Sequence, residues 1–149
     1  MAATTHRLCV RRAAAQREVD AALALRYAVF CEEQGVPLAD ELDGRDGEAT
    51  HLIALDGAAV VGTCRLLTEP GGTVRLGRLA VAAEARRRGI GAALLRAAED
   101  EARAAGGRRI VLAAQTTARG LYAAEGYAER GEPFDDAGIQ HVRMEKALA

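Results

Sequence analysis

Apolar residues recur along this chain with two periods. Between residues 16 and 30, Val19, Leu23, Tyr27 and Phe30 come at helical spacing with Ala22 and Leu25 on adjacent turns, which predicts a helix. Ile90, Leu94, Leu95, Ala98 and Ala102 repeat that spacing against Arg96, Glu99, Asp100 and Arg103, so 90–105 reads as an amphipathic helix. Glu99 and Arg103 stand four apart in the favourable order, and Gly106-Gly107 stops the helix. A shorter helix is predicted over 117–124, ending near Gly126. The remaining apolar runs are short and of strand type: 7–11, 51–55, 59–66, 74–81, 109–113, 127–130 and 140–146. Asp56-Gly57 between two such runs signals a hairpin, and Pro70-Gly71-Gly72 a further turn, so 51–55, 59–66 and 74–81 form an antiparallel meander. The helix over 90–105 then carries the chain by a right-handed crossover to 109–113, parallel to 74–81.

The first helix is expected to run to about Phe30, and Gly35 and Pro37 end it or interrupt the turn that follows. From Ala39 to Glu48 the chain turns polar, with Asp40, Glu41, Asp43, Asp46 and Glu48 against Arg45 alone. That stretch reads as a solvated loop long enough to carry function.

At 149 residues the chain is expected to fold as one domain over 1–149 with one core. Half the residues are apolar but only 3% are aromatic, so the core is aliphatic and there is no material for base-stacking platforms. A net charge of -1 argues equally against a nucleic-acid partner held by overall charge. Cys9, Cys31 and Cys64 are odd in number and widely spaced, without a Cys-x-x-Cys or a Cys/His cluster. They read as reduced structural thiols, with no metal site. No apolar run reaches membrane-spanning length and no leader pattern opens the chain, so a cytoplasmic protein without a membrane partner is expected.

The chemistry concentrates at Arg86-Arg87-Arg88-Gly89-Ile90-Gly91, a turn between a predicted strand and a predicted helix. Glycines let backbone approach a ligand, the first helical N–H groups lack intrahelical partners, and arginines add forked donors. Such a turn holds a polyanion. It is not a dinucleotide fingerprint, because Leu94 stands where a third glycine would follow, and no Gly-Lys-Ser/Thr makes it a Walker loop.

Arg86, Gly89 and Gly91 fall on Arg-x-x-Gly-x-Gly, and the chain thereby resembles the GNAT superfamily of acetyl-CoA-dependent N-acetyltransferases. Arg-x-x-Val-Phe-x-x-Glu-Gln-x-Val-Pro over 26–37 and Gly-Ile-x-His-x-x-Met over 138–144 are similar to its ElaA-like branch. The resemblance implies an α/β (α+β) fold: a mixed, mostly antiparallel sheet of six or seven strands flanked by helices, splayed in a V between 74–81 and 109–113. Two helices are usual in the first crossover, so 31–48 should hold a second short one. Acetyl-CoA is the implied co-substrate. Its pyrophosphate would lie on Arg86, Arg87, Arg88, Gly89, Ile90, Gly91 and Ala92, and its pantetheine along the backbone of Leu79, Ala80 and Val81, one of whose N–H groups would meet the thioester oxygen. The run from Gln115 through Ala118 to Tyr122 and on to Gly126-Tyr127 resembles the superfamily's Asn-x-x-Ala-x-x-Phe/Leu-Tyr-x-x-x-Gly-Phe/Tyr. Gln115 replaces the usual Asn as a pantetheine contact, and Tyr122 is placed as the general acid for the leaving thiolate.

The general base stays open among Glu33, Glu41, Asp43, His51 and His141, with Glu33 favoured as base or amine anchor. Arg26, Glu33, His51 and His141 are expected to line the acceptor pocket, and the acidic 40–48 loop would suit a cationic acceptor such as a polyamine, an amino sugar or a lysine side chain. Direct attack by the amine needs no acyl-cysteine. A non-catalytic acyl-CoA-binding or sensor domain is the alternative, and a mononucleotide-binding module a third. Pairing of sheet edges into a homodimer is expected by resemblance.

Overall fold

In a computed structural model, residues 8–149 are described. Arg7, expected to open the first strand, lies outside the described residues. The elements run β1 (Leu8–Arg12), α1 (Gln16–Arg26), a π-helical continuation (Tyr27–Glu33), α2 (Leu38–Glu41), β2 (Thr50–Asp56), β3 (Ala59–Glu69), β4 (Thr73–Val81), α3 (Ile90–Ala104), β5 (Arg109–Gln115), α4 (Arg119–Ala124), β6 (Ala128–Asp136) and β7 (Ile139–Ala147). The seven strands form one sheet in the order β1-β2-β3-β4-β5-β7-β6. Every pairing is antiparallel except β4 with β5, so the meander and the α3 crossover are as predicted. No helix among the described residues is long and apolar enough to cross a membrane.

Helices cover both faces of the sheet, and β2 shows it residue by residue. Leu52 and Ala54 pack with Ile90, Leu94, Leu95 and Ala98 of α3, whereas Ile53 and Leu55 pack with Ala22 of α1. Alternation sends successive side chains to opposite faces, and burying each Leu or Ile contributes about 1.5–3 kcal/mol. Gly62 on β3 lets α3 come close: a Cβ there would lie 2.8 Å from Ile90 Cγ2. α3 ends in a Schellman turn, with Gly106 N–H donating to Arg103 O (3.0 Å) and Gly107 N–H to Ala102 O (2.7 Å).

Two features of β4 open the sheet. It pairs with β5 only where Thr73, Val74 and Arg75 meet Arg109, Ile110 and Val111, and beyond that the parallel strands part. Against β3 the register steps from Thr63↔Ala80 to Arg65↔Gly77, two residues on one strand against three on the other. That is a β-bulge, and Arg78 sits in it at φ 56°.

Three expectations change. The first helix does not stop near residue 30 but winds on as π-helix to Glu33, with Gln34 N–H reaching Val29 O at 3.1 Å. The 39–48 stretch is not an open loop: it starts with α2, the short second helix the resemblance implies, and continues as an ion-paired turn. The last hairpin is longer than 127–130 and 140–146, closed by Ala137-Gly138 with both residues at positive φ (53° and 79°). β6 is an edge strand exposed along nearly its whole length, so no apolar alternation marks it.

Candidate active site

Where β4 and β5 part, a cavity of about 680 Å³ opens, a size ordinary for a small-molecule site. One wall is the backbone of Leu79, Ala80 and Val81. At one end lie Arg86, Arg87, Gly89, Ile90, Gly91 and Ala92. Arg87 (φ 65°) and Gly89 (φ 74°) fold this turn through the left-handed region. Ala93 N–H is the first to bond back, to Gly89 O at 3.1 Å, which leaves the N–H groups of Ile90, Gly91 and Ala92 without intrahelical partners at the positive end of a 15-residue helix. Gly91 lets Leu121 pack closely, since a Cβ there would sit 3.1 Å from Leu121 Cδ2 and push that methyl aside by a few tenths of an ångström.

Gln115, Ala118 and Tyr122 line the cavity from β5 and α4 and the turn between them. A second Schellman turn holds Tyr122: Gly126 N–H donates to Ala123 O and Tyr127 N–H to Tyr122 O, both at 3.0 Å. Tyr127 meets the Tyr122 ring edge-on at 6.1 Å. Burial pushes the Tyr122 phenol above its ordinary range, so it stays protonated at any physiological pH. The two tyrosines differ in use. Tyr127 donates its hydroxyl to Glu99 Oε2 at 3.1 Å within the core, whereas Tyr122 lines the cavity.

An acetyltransferase (GNAT) domain family model matches residues 6–148. The chain belongs to the GNAT acetyltransferase family. A Bacillus subtilis relative named as an uncharacterized N-acetyltransferase, YjcF, is 34% identical over 132 residues, 88% of this chain and 94% of the relative. A solved N-acetyltransferase structure from Lactobacillus plantarum is 30% identical with a TM-score of 0.89, covering 95% of this chain and 99% of its own. Escherichia coli ElaA shares the fold at 23% identity and a TM-score of 0.81, covering 95% and 99%.

Within this GNAT chain the donor-side residues expected from the sequence converge on one cavity, with one exception. Arg88 turns away and pairs with Asp56 at 2.9 Å in the β2–β3 turn, so it is not on the cavity wall. The acceptor-side expectations divide. Arg26 and His51 are not on the wall. Arg26 is buried, with its guanidinium on Glu41 (2.6 and 2.7 Å) and Asp46 (2.7 Å). His51 is buried on β2 with Nε2 at 3.0 Å from Asp46 O, a bond that only a protonated Nε2 can donate.

Glu33 and His141 do line the cavity. Glu33 is gripped at both carboxylate oxygens by Arg86, at 2.6 and 2.7 Å, and that guanidinium holds its carboxyl below the ordinary range. The next residue, Gln34, accepts from Gln115 Nε2 at 2.8 Å. The end of the π-helical segment thus touches both walls of the cleft through two residues expected to contact the donor. A carboxylate lowered and paired in this way is a poor general base, which counts against the favoured assignment of Glu33.

The acidic stretch is also not what its composition suggested. Arg26 takes Glu41 and Asp46, Arg65 takes Asp43 and Asp46, and Arg78 donates to Glu41 O (3.0 Å) and pairs with Asp43 (3.4 Å). Three arginines meet three of the five carboxylates, Glu41, Asp43 and Asp46, so these are paired inside the fold, while Asp40 is exposed at the cavity. Sequence reasoning passed over Arg65 and Arg78, which line the cavity. The available signal was full charge inside two apolar strands, Arg65 in 59–66 and Arg75 with Arg78 in 74–81.

Proposed function

We propose that this GNAT acetyltransferase moves an acetyl group from acetyl-CoA directly to a primary amine. One observation carries the reading: the splay of β4 from β5 exposes the β4 backbone edge between the open end of α3 and Tyr122. Sheet-edge N–H and C=O groups can hydrogen-bond an extended chain the length of pantetheine. The unpartnered N–H groups of Ile90–Ala92 and the guanidinium groups of Arg86 and Arg87 suit a pyrophosphate.

The amine nitrogen attacks the thioester carbon and a C–N bond forms. Negative charge gathers on the carbonyl oxygen, which a backbone N–H at the bulge, among Leu79–Val81, would stabilise. The C–S bond then breaks, and Tyr122 gives its proton to the departing thiolate. No acyl-cysteine is needed, and burial pushes the Cys64 thiol up to about 12, which keeps it an inert core group.

Calorimetric titration of acetyl-CoA tests the donor site, with ATP as control ligand. The wild type should bind acetyl-CoA in the micromolar range and Arg87→Glu/Gly89→Asp should lose more than tenfold. Tyr122→Phe should bind as well as wild type while its turnover falls by about 10²-fold. Binding of ATP but not acetyl-CoA by the folded wild type would sink the acyltransferase reading and leave a nucleotide module. Donor binding with turnover unaffected by Tyr122→Phe would remove Tyr122 from the chemistry.

A further inference from the structure

Acetyl transfer to an amine needs an acceptor for the proton the amine loses, and the favoured carboxylate, Glu33, is held by Arg86. We infer that His141 takes that proton through Nε2; the inference rests on the acetyl-transfer reading above. The other candidates are engaged elsewhere. Glu41 and Asp43 sit in arginine pairs, and His51 is buried with Nε2 on Asp46 O. Asp40 and Asp136 also line the cavity, but both are exposed, and among the described residues no contact fixes either carboxylate toward a bound amine as the Ile139 carbonyl fixes the His141 ring.

His141 has the tautomer a base requires. Its Nδ1 lies 2.8 Å from Ile139 O. A carbonyl oxygen can only accept, so Nδ1 carries the hydrogen and the neutral ring keeps its lone pair on Nε2. The ring plane is set by Phe134, stacked at 5.9 Å and 26°, which in turn lies under the Arg143 guanidinium at 5.7 Å. Ring and tautomer are therefore held before a substrate arrives.

Its place in the sheet is equally specific. His141 pairs with Gln115, at the end of β5 beside the splay. Val142 and Met144 on β7 join the core cluster that holds α3 and Tyr122. Strand alternation puts His141 on the other face. Tyr122 and His141 thus reach one cavity from opposite faces of the sheet, through the gap between β4 and β5. The proton balance closes: Nε2 accepts one proton from the amine as C–N forms, Tyr122 gives one to sulfur as C–S breaks, and both groups reset through solvent.

Charged groups on the strands around His141 are Arg143, Glu145 and Lys146 on β7, Glu129, Arg130, Glu132, Asp135 and Asp136 on β6, and Arg109 on β5, while Glu33, Asp40, Glu41, Arg65, Arg75, Arg78, Arg86, Arg87 and the Tyr122 phenol line the same cavity. The 116–118 turn that packs on β7 has no titratable side chain.

Two measurements on the full chain decide the matter. NMR of isotope-labelled histidine nitrogens, with His141→Gln identifying the signal, should show a neutral ring protonated at Nδ1; a ring protonated at Nε2 overturns the proposal. Kinetics follow the loss of thioester absorbance from acetyl-CoA with spermidine, glucosamine or Nα-acetyl-lysine, and with water alone. His141→Gln should lower kcat/KM by about 10²-fold or more, leave acetyl-CoA binding unchanged by calorimetry, and abolish the acid limb of the wild-type pH–rate profile. An unchanged rate and pH profile overturns His141 alone. Absence of acetyl-CoA binding, or of thioester loss with every acceptor, overturns the transfer reading and His141 with it.

Discussion

A carboxylate is defined by its partner, and Glu33 shows how much that matters. It lies in the cavity as its sequence position suggested, yet the residue that determines its charge state is Arg86, 53 positions away. The pair is 39% and 45% exposed, so solvent screens it and its contribution to stability is small. Glu33→Gln should therefore leave folding almost untouched and free Arg86 for a phosphate. Acetyl-CoA affinity, read by calorimetry, should hold or rise by up to about fivefold, with turnover retained. A tenfold fall in kcat at constant affinity would return Glu33 to the chemistry. The histidines carry the same lesson. His51 and His141 look alike in sequence, and only their carbonyl partners show that one donates from Nε2 to Asp46 O while the other donates from Nδ1 to Ile139 O.

Among the elements, α3 was the most legible, because its apolar face repeats at 3.6 residues and glycines bound it at both ends. Its distance from the sheet depends on Gly62. In Gly62→Val the new Cβ would lie 2.8 Å from Ile90 Cγ2 and 3.2 Å from Ala54 Cβ, with nowhere to move in a packed layer. A loss of about 1–3 kcal/mol is expected, seen as a melting temperature lower by several degrees; an unchanged melt would mean that α3 can shift outward at no cost. The π-helical segment was not legible. Its i→i−5 bonds leave no separate apolar period, and its winding brings Phe30 and Glu33 to the cavity. β6 was half missed for another reason: an edge strand facing solvent needs no apolar residues to hold its place.

For the whole molecule, the decisive feature is the lattice of Arg26, Arg65 and Arg78 with Glu41, Asp43 and Asp46, which ties the segment after α1 to β3 and β4. Arg65 holds the Asp43 carboxyl well below the ordinary range. Burial by itself would raise Asp46, and Arg26 with Arg65 more than offsets it, so Asp46 is lowered as well. Groups lowered on folding stabilise the protein above their unfolded value, about 4, and that contribution is lost as pH falls through the folded values. Melting temperature should thus hold from neutral pH down to about 4 and drop below it. Arg26→Met, which leaves buried Glu41 only the longer 3.4 Å contact with Arg78, should cost about 3–5 kcal/mol at neutral pH and make the acid dependence shallower. A melting temperature that rises on acidification would refute this account.

What the sequence determined by itself is what short-range chemistry can specify. Helical spacing in 90–105, Asp56-Gly57, and two glycines behind three arginines act within a few residues of one another, so the order of elements, the meander, the crossover and the glycine-arginine turn that opens α3 could all be read before the fold was known. The tertiary structure alone decided which charges were left to act. It absorbed Glu41, Asp43 and Asp46 into arginine pairs, sent Arg88 to Asp56 and Arg86 to Glu33, and set Tyr122 and His141 on opposite faces of one gap. Ion pairs and hydrogen bonds between residues tens of positions apart depend on where the strands place them, and no local pattern in the chain encodes the partner that each charge will meet.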